Sequence, residues 1–153
     1  MPTRLDAIDR QILRELQADG RMTNVELARR LGMSAPPCLR RVRALEEAGI
    51  ITGYRALVDE KALGFDVVVF AFIHLASQAE ADLAAFQAHV RDWPAVRSCW
   101  TLSGDIDFML QCVAPDLRAL QAVVAELTGL PNVRTVRTAL ALDRVKDEPI
   151  APL

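Results

Sequence analysis

Residues Ser34 to Gly49, Ser-Ala-Pro-Pro-Cys-Leu-Arg-Arg-Val-Arg-Ala-Leu-Glu-Glu-Ala-Gly, constrain this chain more than any other stretch. Ser34 is a residue type favoured at helix N-caps. Pro36 and Pro37 fall in the first turn, where a missing N–H costs little because no intrahelical acceptor waits for it. Gly49 supplies the stop. Between these limits Cys38, Val42 and Leu45 recur at helical spacing and form one apolar stripe. Arg40, Arg41 and Arg43 must then point largely elsewhere, and three guanidiniums on one helix match phosphates and guanine edges. An arginine run alone usually marks only a solvated helix face, so the reading depends on what comes before it.

Thr23-Asn24-Val25-Glu26 has the form of a capping box, with Met22 and Leu27 placed as its hydrophobic staple and Leu27, Ala28 and Leu31 as a buried face. Gly32-Met33 then turns the chain. A short helix, a glycine-containing turn and a longer basic helix make the helix-turn-helix pattern, whose second helix lies in a DNA major groove. Upstream, Asp6 caps a first helix carrying Ile8, Ile12, Leu13 and Leu16, ended by Asp19-Gly20. Downstream, Ile50 to Val58 is β-rich and reads as a wing or linker strand.

Charge follows the same division. The whole chain carries −2, but residues 1–58 hold 10 Arg against 7 acids, net +3, and residues 59–153 hold 8 bases against 13 acids, net −5. The basic excess sits with the helix-turn-helix. At 153 residues and 52% hydrophobic the chain suffices for one or two small domains. Its longest apolar run, Val67 to Ile73, is far short of the roughly 20 residues that span a bilayer. The charged start Met-Pro-Thr-Arg-Leu-Asp does not read as a signal peptide, so a cytoplasmic protein without membrane association is expected. Cys38, Cys99 and Cys112 fit neither zinc-ligand spacing nor a disulfide framework, so free, mostly buried thiols are expected and no metal.

From Phe65 the period changes. Phe65 to Leu75 is a strand apolar on both faces, so helices are expected over one side and a partner subunit over the other. Ser77 to Glu80 has the form of a second capping box, opening a helix through Leu83, Phe86, Gln87 and Val90 that stops near Trp93-Pro94. Val96–Leu102 and Ile106–Val113 form a hairpin around Ser103-Gly104-Asp105. Asp116 caps a helix carrying Leu117, Leu120, Val124 and Leu127, ended by Gly129 and Pro131, and Val133 to Val145 closes as a last strand. The order β-α-β-β-α-β is ferredoxin-like. The expected fold is therefore α+β: a winged helix-turn-helix domain at 1–52, a linker at 53–64, a ferredoxin-like domain at 65–145 and a tail at 146–153.

Several of these residues together resemble the Lrp/AsnC family of leucine-responsive and asparagine-responsive transcription regulators. They are Leu5-Asp6 with Asp9 and Ile12-Leu13, Gly20-Arg21, Glu26-Leu27-Ala28, Ser34 with Pro37-Cys38 and Arg41-Val42, Leu45-Glu46, Gly49-Ile50-Ile51, Gly53-Tyr54, Leu63-Gly64, Gly104-Asp105 with Asp107, and Pro131 with Val133. No single piece is specific; their order and spacing are. The resemblance implies a DNA-binding domain, a ferredoxin-like effector and assembly domain, dimers that often build a ring of four, and a response to an amino acid.

On this reading a homodimer, assembling further to an octamer, sets two recognition helices into double-stranded DNA. Ser34, Ala35, Pro36 and Pro37 bring the helix start close to the bases. Arg40 and Arg41 are expected on bases, and Arg43 and Asn24 on phosphate. The hairpin tip, Ser103, Gly104, Asp105, Ile106 and Asp107, has chemistry for an amino-acid effector: a carboxylate for its ammonium and backbone N–H groups for its carboxylate. By itself Gly-Asp here is more often only a turn; the resemblance, which implies effector binding near this turn, reverses that weighting. Thr101 and Thr138 would add hydroxyls. No cofactor is called for. The alternatives are an architectural protein that organises DNA without an effector and a small ferredoxin-like enzyme; for the latter His74 and His89 are the only histidines, and neither lies near a nucleophile in sequence.

Overall fold

The computed structural model describes residues 4–149 and 151–153. The chain divides into two compact units, one of Met1–Leu57 with Lys146–Leu153 and one of Val58–Val145. The linker expected at 53–64 is thus shared between them, and the tail from Lys146 groups with the first unit.

The first unit holds α1 (Ala7–Ala18), α2 (Asn24–Arg30) and α3 (Ala35–Glu47). Asp6 and Asp9 form a reciprocal cap on α1: the Asp9 N–H donates to Asp6 Oδ1 at 2.8 Å and the Asp6 N–H to Asp9 Oδ2 at 3.2 Å. The Thr23 box is only half made. Its hydroxyl accepts from the Glu26 N–H at 3.2 Å, but the Glu26 carboxylate turns to Arg29 and Arg30 instead of reaching back. Both α2 and α3 end in Schellman turns at left-handed glycines. At Gly32 (φ 64°) the Met33 N–H reaches the Ala28 carbonyl, and at Gly49 (φ 69°) the Ile50 N–H reaches that of Leu45. Ile12, Leu13, Leu27, Ala28, Cys38 and Leu45 form the core, with Leu153 of the tail packed on it.

One expected element is missing. Residues 50–58 form no strand, and no described strand pairs with them, so the apolar Leu57 and Val58 stay exposed. Alternating β-type residues make a strand only where a neighbour completes the ladder.

The second unit carries β1 (Val67–Leu75), α4 (Glu80–Arg91), β2 (Val96–Thr101), β3 (Phe108–Ala114), α5 (Leu117–Gly129) and β4 (Val133–Leu140). Its antiparallel sheet runs β2-β3-β1-β4, the ferredoxin-like order. Alternate β1 residues Val67, Val69, Ala71, Ile73 and Leu75 are buried against Phe86, Val90, Val123 and Leu127 of the helices. Phe86 stacks on Phe108 with ring centroids 4.7 Å apart. Val68, Phe70, Phe72 and His74 lie on the other face, half-buried.

Three local expectations are corrected. Ser77 is not the cap of α4, which starts after Ala79 without a side-chain cap; the Ser77 backbone is held instead by the Asn132 amide, through two bonds of 2.8 Å. On α5 the buried residues are Val123 and Leu127, while Leu117 is exposed. The last strand stops at Leu140 rather than Val145. Among the described residues no helix is long and apolar enough to cross a membrane.

Candidate nucleic-acid interface and effector cleft

The start of α3 follows from the chemistry of its first turn. An N-cap side chain accepts from the N–H of the second or third helical residue, and in this helix those residues are Pro36 and Pro37, which have none. Ser34 accordingly sits at the cap position with its side chain making no cap bond. Its hydroxyl is left over on the exposed surface. The helix start is held another way: Asn24 Nδ2, from the first residue of α2, donates to the Ala35 carbonyl at 2.8 Å. That places the Asn24 amide inside the motif, joining α2 to α3.

The three arginines of α3 have different fates. Arg41 is tied back to α1, with Nη1 at 2.8 Å from Asp6 Oδ2 and 2.7 Å from Asp9 Oδ1, and only a third of its side chain is exposed. The guanidinium and the Asp9 N–H together hold the Asp6 carboxyl below its ordinary range, the backbone bond being the larger cause. Arg40 and Arg43 are exposed and make no ion pair among the described residues. Leu39 stands exposed beside Arg40. It escaped the sequence reading because an isolated leucine on a basic helix looks like core.

On α2 the pattern reverses. Arg29 and Arg30 both bind Glu26, at 2.7 and 2.9 Å, and Arg30 also reaches Glu15 of α1 at 2.8 Å. The hydrogen bonds from Arg29 and then Arg30 push the Glu26 carboxyl down to about 2.

The second unit has a cleft of about 430 Å³ on the helix-free face of its sheet, lined by His74, Gln78, Gly104, Asp105, Ile106, Thr135 and Arg137. Three expected effector residues, Gly104, Asp105 and Ile106, meet there; Ser103 is adjacent in the chain but not in the lining. Thr101 and Thr138 do not come to it. Thr101 pairs with Phe108 and Thr138 with Ala71, both of which face the helices, and the two threonines lie on opposite edge strands. Asp107 lies beneath the cleft, 6% exposed. Its Oδ2 accepts from the Leu75 N–H at 2.7 Å and its Oδ1 from Gln78 Nε2 at 2.8 Å, so it ties the end of β1 to the start of β3. His74, Gln78, Thr135 and Arg137 were missed because only strand register brings them to the turn.

Residues 5–52 match the winged helix-turn-helix DNA-binding family and residues 68–151 the Lrp/AsnC ligand-binding domain. The chain belongs to the Lrp/AsnC family. A leucine-responsive regulatory protein of Rhizobium meliloti (strain 1021) is 60% identical over 144 residues, covering 94% of this chain and 92% of that protein. The crystal structure of a Neisseria meningitidis transcriptional regulator in complex with L-methionine aligns with TM-score 0.92 at 35% identity, over 97% of each chain. A feast or famine regulatory protein from M. tuberculosis, also complexed with L-methionine, aligns with TM-score 0.83 at 33% identity, over 94% of this chain and 96% of the other. As a member of this family the chain is a transcriptional regulator with an amino-acid-binding domain.

Proposed function

We propose that this Lrp/AsnC regulator binds DNA as a homodimer that assembles further to an octamer, acts in the cytoplasm, and inserts the N-terminal half of α3 from each subunit into successive major grooves. The observation that carries this is the set of side chains left unspent there: the Ser34 hydroxyl, and the guanidiniums of Arg40 and Arg43. Arg40 reads a base edge, Arg43 and Ser34 hold phosphate, and Ala35, Pro36 and Pro37 let the backbone approach closely. Leu39 suits a thymine methyl group. Arg41 and Asn24 take a positioning role, since their polar groups already fasten α3 to α1 and α2. The effector is an amino acid held at the Gly104-Asp105 cleft, with Asp107 supporting the floor beneath it.

The half-buried apolar sheet face, with Phe70, Phe72 and an exposed Trp100, supports pairing with a second copy. A two-fold dimer predicts imperfect palindromes with half-sites about 34–36 Å apart or a multiple of that. Nuclease footprinting on genomic fragments selected by the purified protein checks this, and protection should recur with the helical period. Uniform coverage without sequence preference would instead indicate an architectural protein.

A further inference from the structure

The sheet of the second unit is open along β2, which pairs with β3 on one side and has no described strand on the other. In an antiparallel ladder successive residues turn their backbone groups alternately toward the neighbour and away from it. The Leu102 N–H reaches the Asp107 carbonyl at 2.9 Å, which puts Trp100 and Ser98 on the paired side and Cys99 and Thr101 on the free side. The N–H and C=O groups of Cys99 and Thr101 therefore meet no partner strand. Edges are commonly blunted by a bulge or a charge. Here the register shifts only between Val96 and Ser98, beside Arg97, and runs straight from Ser98 to Thr101.

A groove of about 320 Å³ lies beside this open stretch, with Gln87, Val90 and Arg91 of α4 on one side and Arg97, Cys99 and Thr101 of β2 on the other. Cys99 and Thr101 pair with Leu110 and Phe108, so their side chains share the helix-covered face of the sheet. Both are nevertheless exposed, since they are small and α4 does not close over them. Two cations stand in the same groove. Arg97 Nη1 donates to the Pro94 carbonyl at 3.2 Å, and neither Arg97 nor Arg91 makes an ion pair among the described residues. No carboxylate belongs to the lining, although residues 59–153 as a whole are net acidic.

We propose that this edge takes an extended acidic segment of another protein as a further strand, laid between β2 and α4. The backbone groups of Cys99 and Thr101 supply the ladder, and every second side chain of the added strand drops into the groove. Arg91, in the last turn of α4, and Arg97, near the start of β2, gather at one end of the groove and meet the carboxylates of the segment. A second copy of this chain suits the edge less well. Two β2 strands paired about a two-fold axis would bring Arg97 and Arg91 of both copies into one short ladder, where like charges repel.

Fluorescence anisotropy on the full-length protein tests this with a labelled peptide, Glu-Glu-Val-Thr-Val-Thr-Val-Glu-Glu, beside the same peptide with lysine in place of each glutamate. The acidic peptide should bind and the basic one should not, and Arg91→Gln and Arg97→Gln, both surface changes, should each weaken the acidic peptide about threefold to fivefold. Methylating the peptide's central backbone amides one at a time should weaken binding about tenfold at alternate positions and spare those between, because only every second N–H faces β2. Equal losses at every amide, or equal binding of the acidic and basic peptides, would overturn the strand addition. So would an acidic peptide that does not bind. In that event a change of mass in light scattering for Arg97→Glu would give the edge to a second copy, and weakened binding of a non-operator duplex by the glutamine variants would give the arginines to DNA.

Discussion

Glu26 shows how much a single side chain can be diverted from the role its sequence position implies. In the series Thr23-x-x-Glu26 it should close a capping box; it instead faces two arginines one helical turn along, where charge-assisted bonds are stronger than one more cap bond. Its carboxyl falls from an ordinary 4.5 to about 2, chiefly through the Arg29 and then the Arg30 hydrogen bonds. Because the folded-state value lies below the unfolded one, the stabilisation is complete above about pH 4.5 and is lost as pH falls toward 2. The thermal midpoint of the wild type should therefore drop more steeply over that window than that of Glu26→Gln, and added salt should narrow the gap, since the pairs are exposed. Parallel curves would count against it. Arg41 was diverted likewise. Periodicity showed that it leaves the apolar stripe, but not that Asp6 and Asp9 of another helix wait for it.

At the scale of elements, every helix and strand of the two units was legible from periodicity, although the cap of α4 was misplaced at Ser77 and strand limits failed where pairing depends on something outside the segment. Residues 50–58 have strand composition but no ladder partner among the described strands. β4 ends at Leu140, although apolar residues continue through Leu142 and Val145, both exposed. The cleft was half legible for a related reason. The Gly104-Asp105 turn is visible in sequence, whereas Arg137 and His74 join it only through cross-strand register, and Thr101 and Thr138 are excluded by the same register. The turn between α2 and α3 was the clearest punctuation of all. Gly32 holds φ 64° there, and an added Cβ would meet nothing within 4 Å, so a side chain there is penalised by the backbone alone. Gly32→Ala should cost about 1 kcal/mol in chemical denaturation, and Gly32→Asn less, because asparagine tolerates the left-handed region. Equal stability of all three proteins would show that the turn relaxes to another conformation.

For the whole molecule, regulation requires that the effector bind one assembly or DNA-bound state better than another, since equal affinity for all states shifts nothing. Each unit brings what that scheme needs. One offers cations on α3 that make no ion pair among the described residues, within a net basic segment, the other a cleft with both signs of charge inside a net acidic one. On the proposed function, Arg40 and Arg43 are kept free for DNA while Arg41 fastens α3 to α1. Fluorescence anisotropy on an operator duplex, repeated across salt concentrations for the wild type, Arg40→Ala and Arg43→Ala, measures it most directly. Arg40→Ala should lose about 1–3 kcal/mol of specific binding, and Arg43→Ala should weaken all sequences alike and lower the log–log salt slope by about 1 per bound subunit. Operator affinity and salt slope unchanged in both variants would contradict the account.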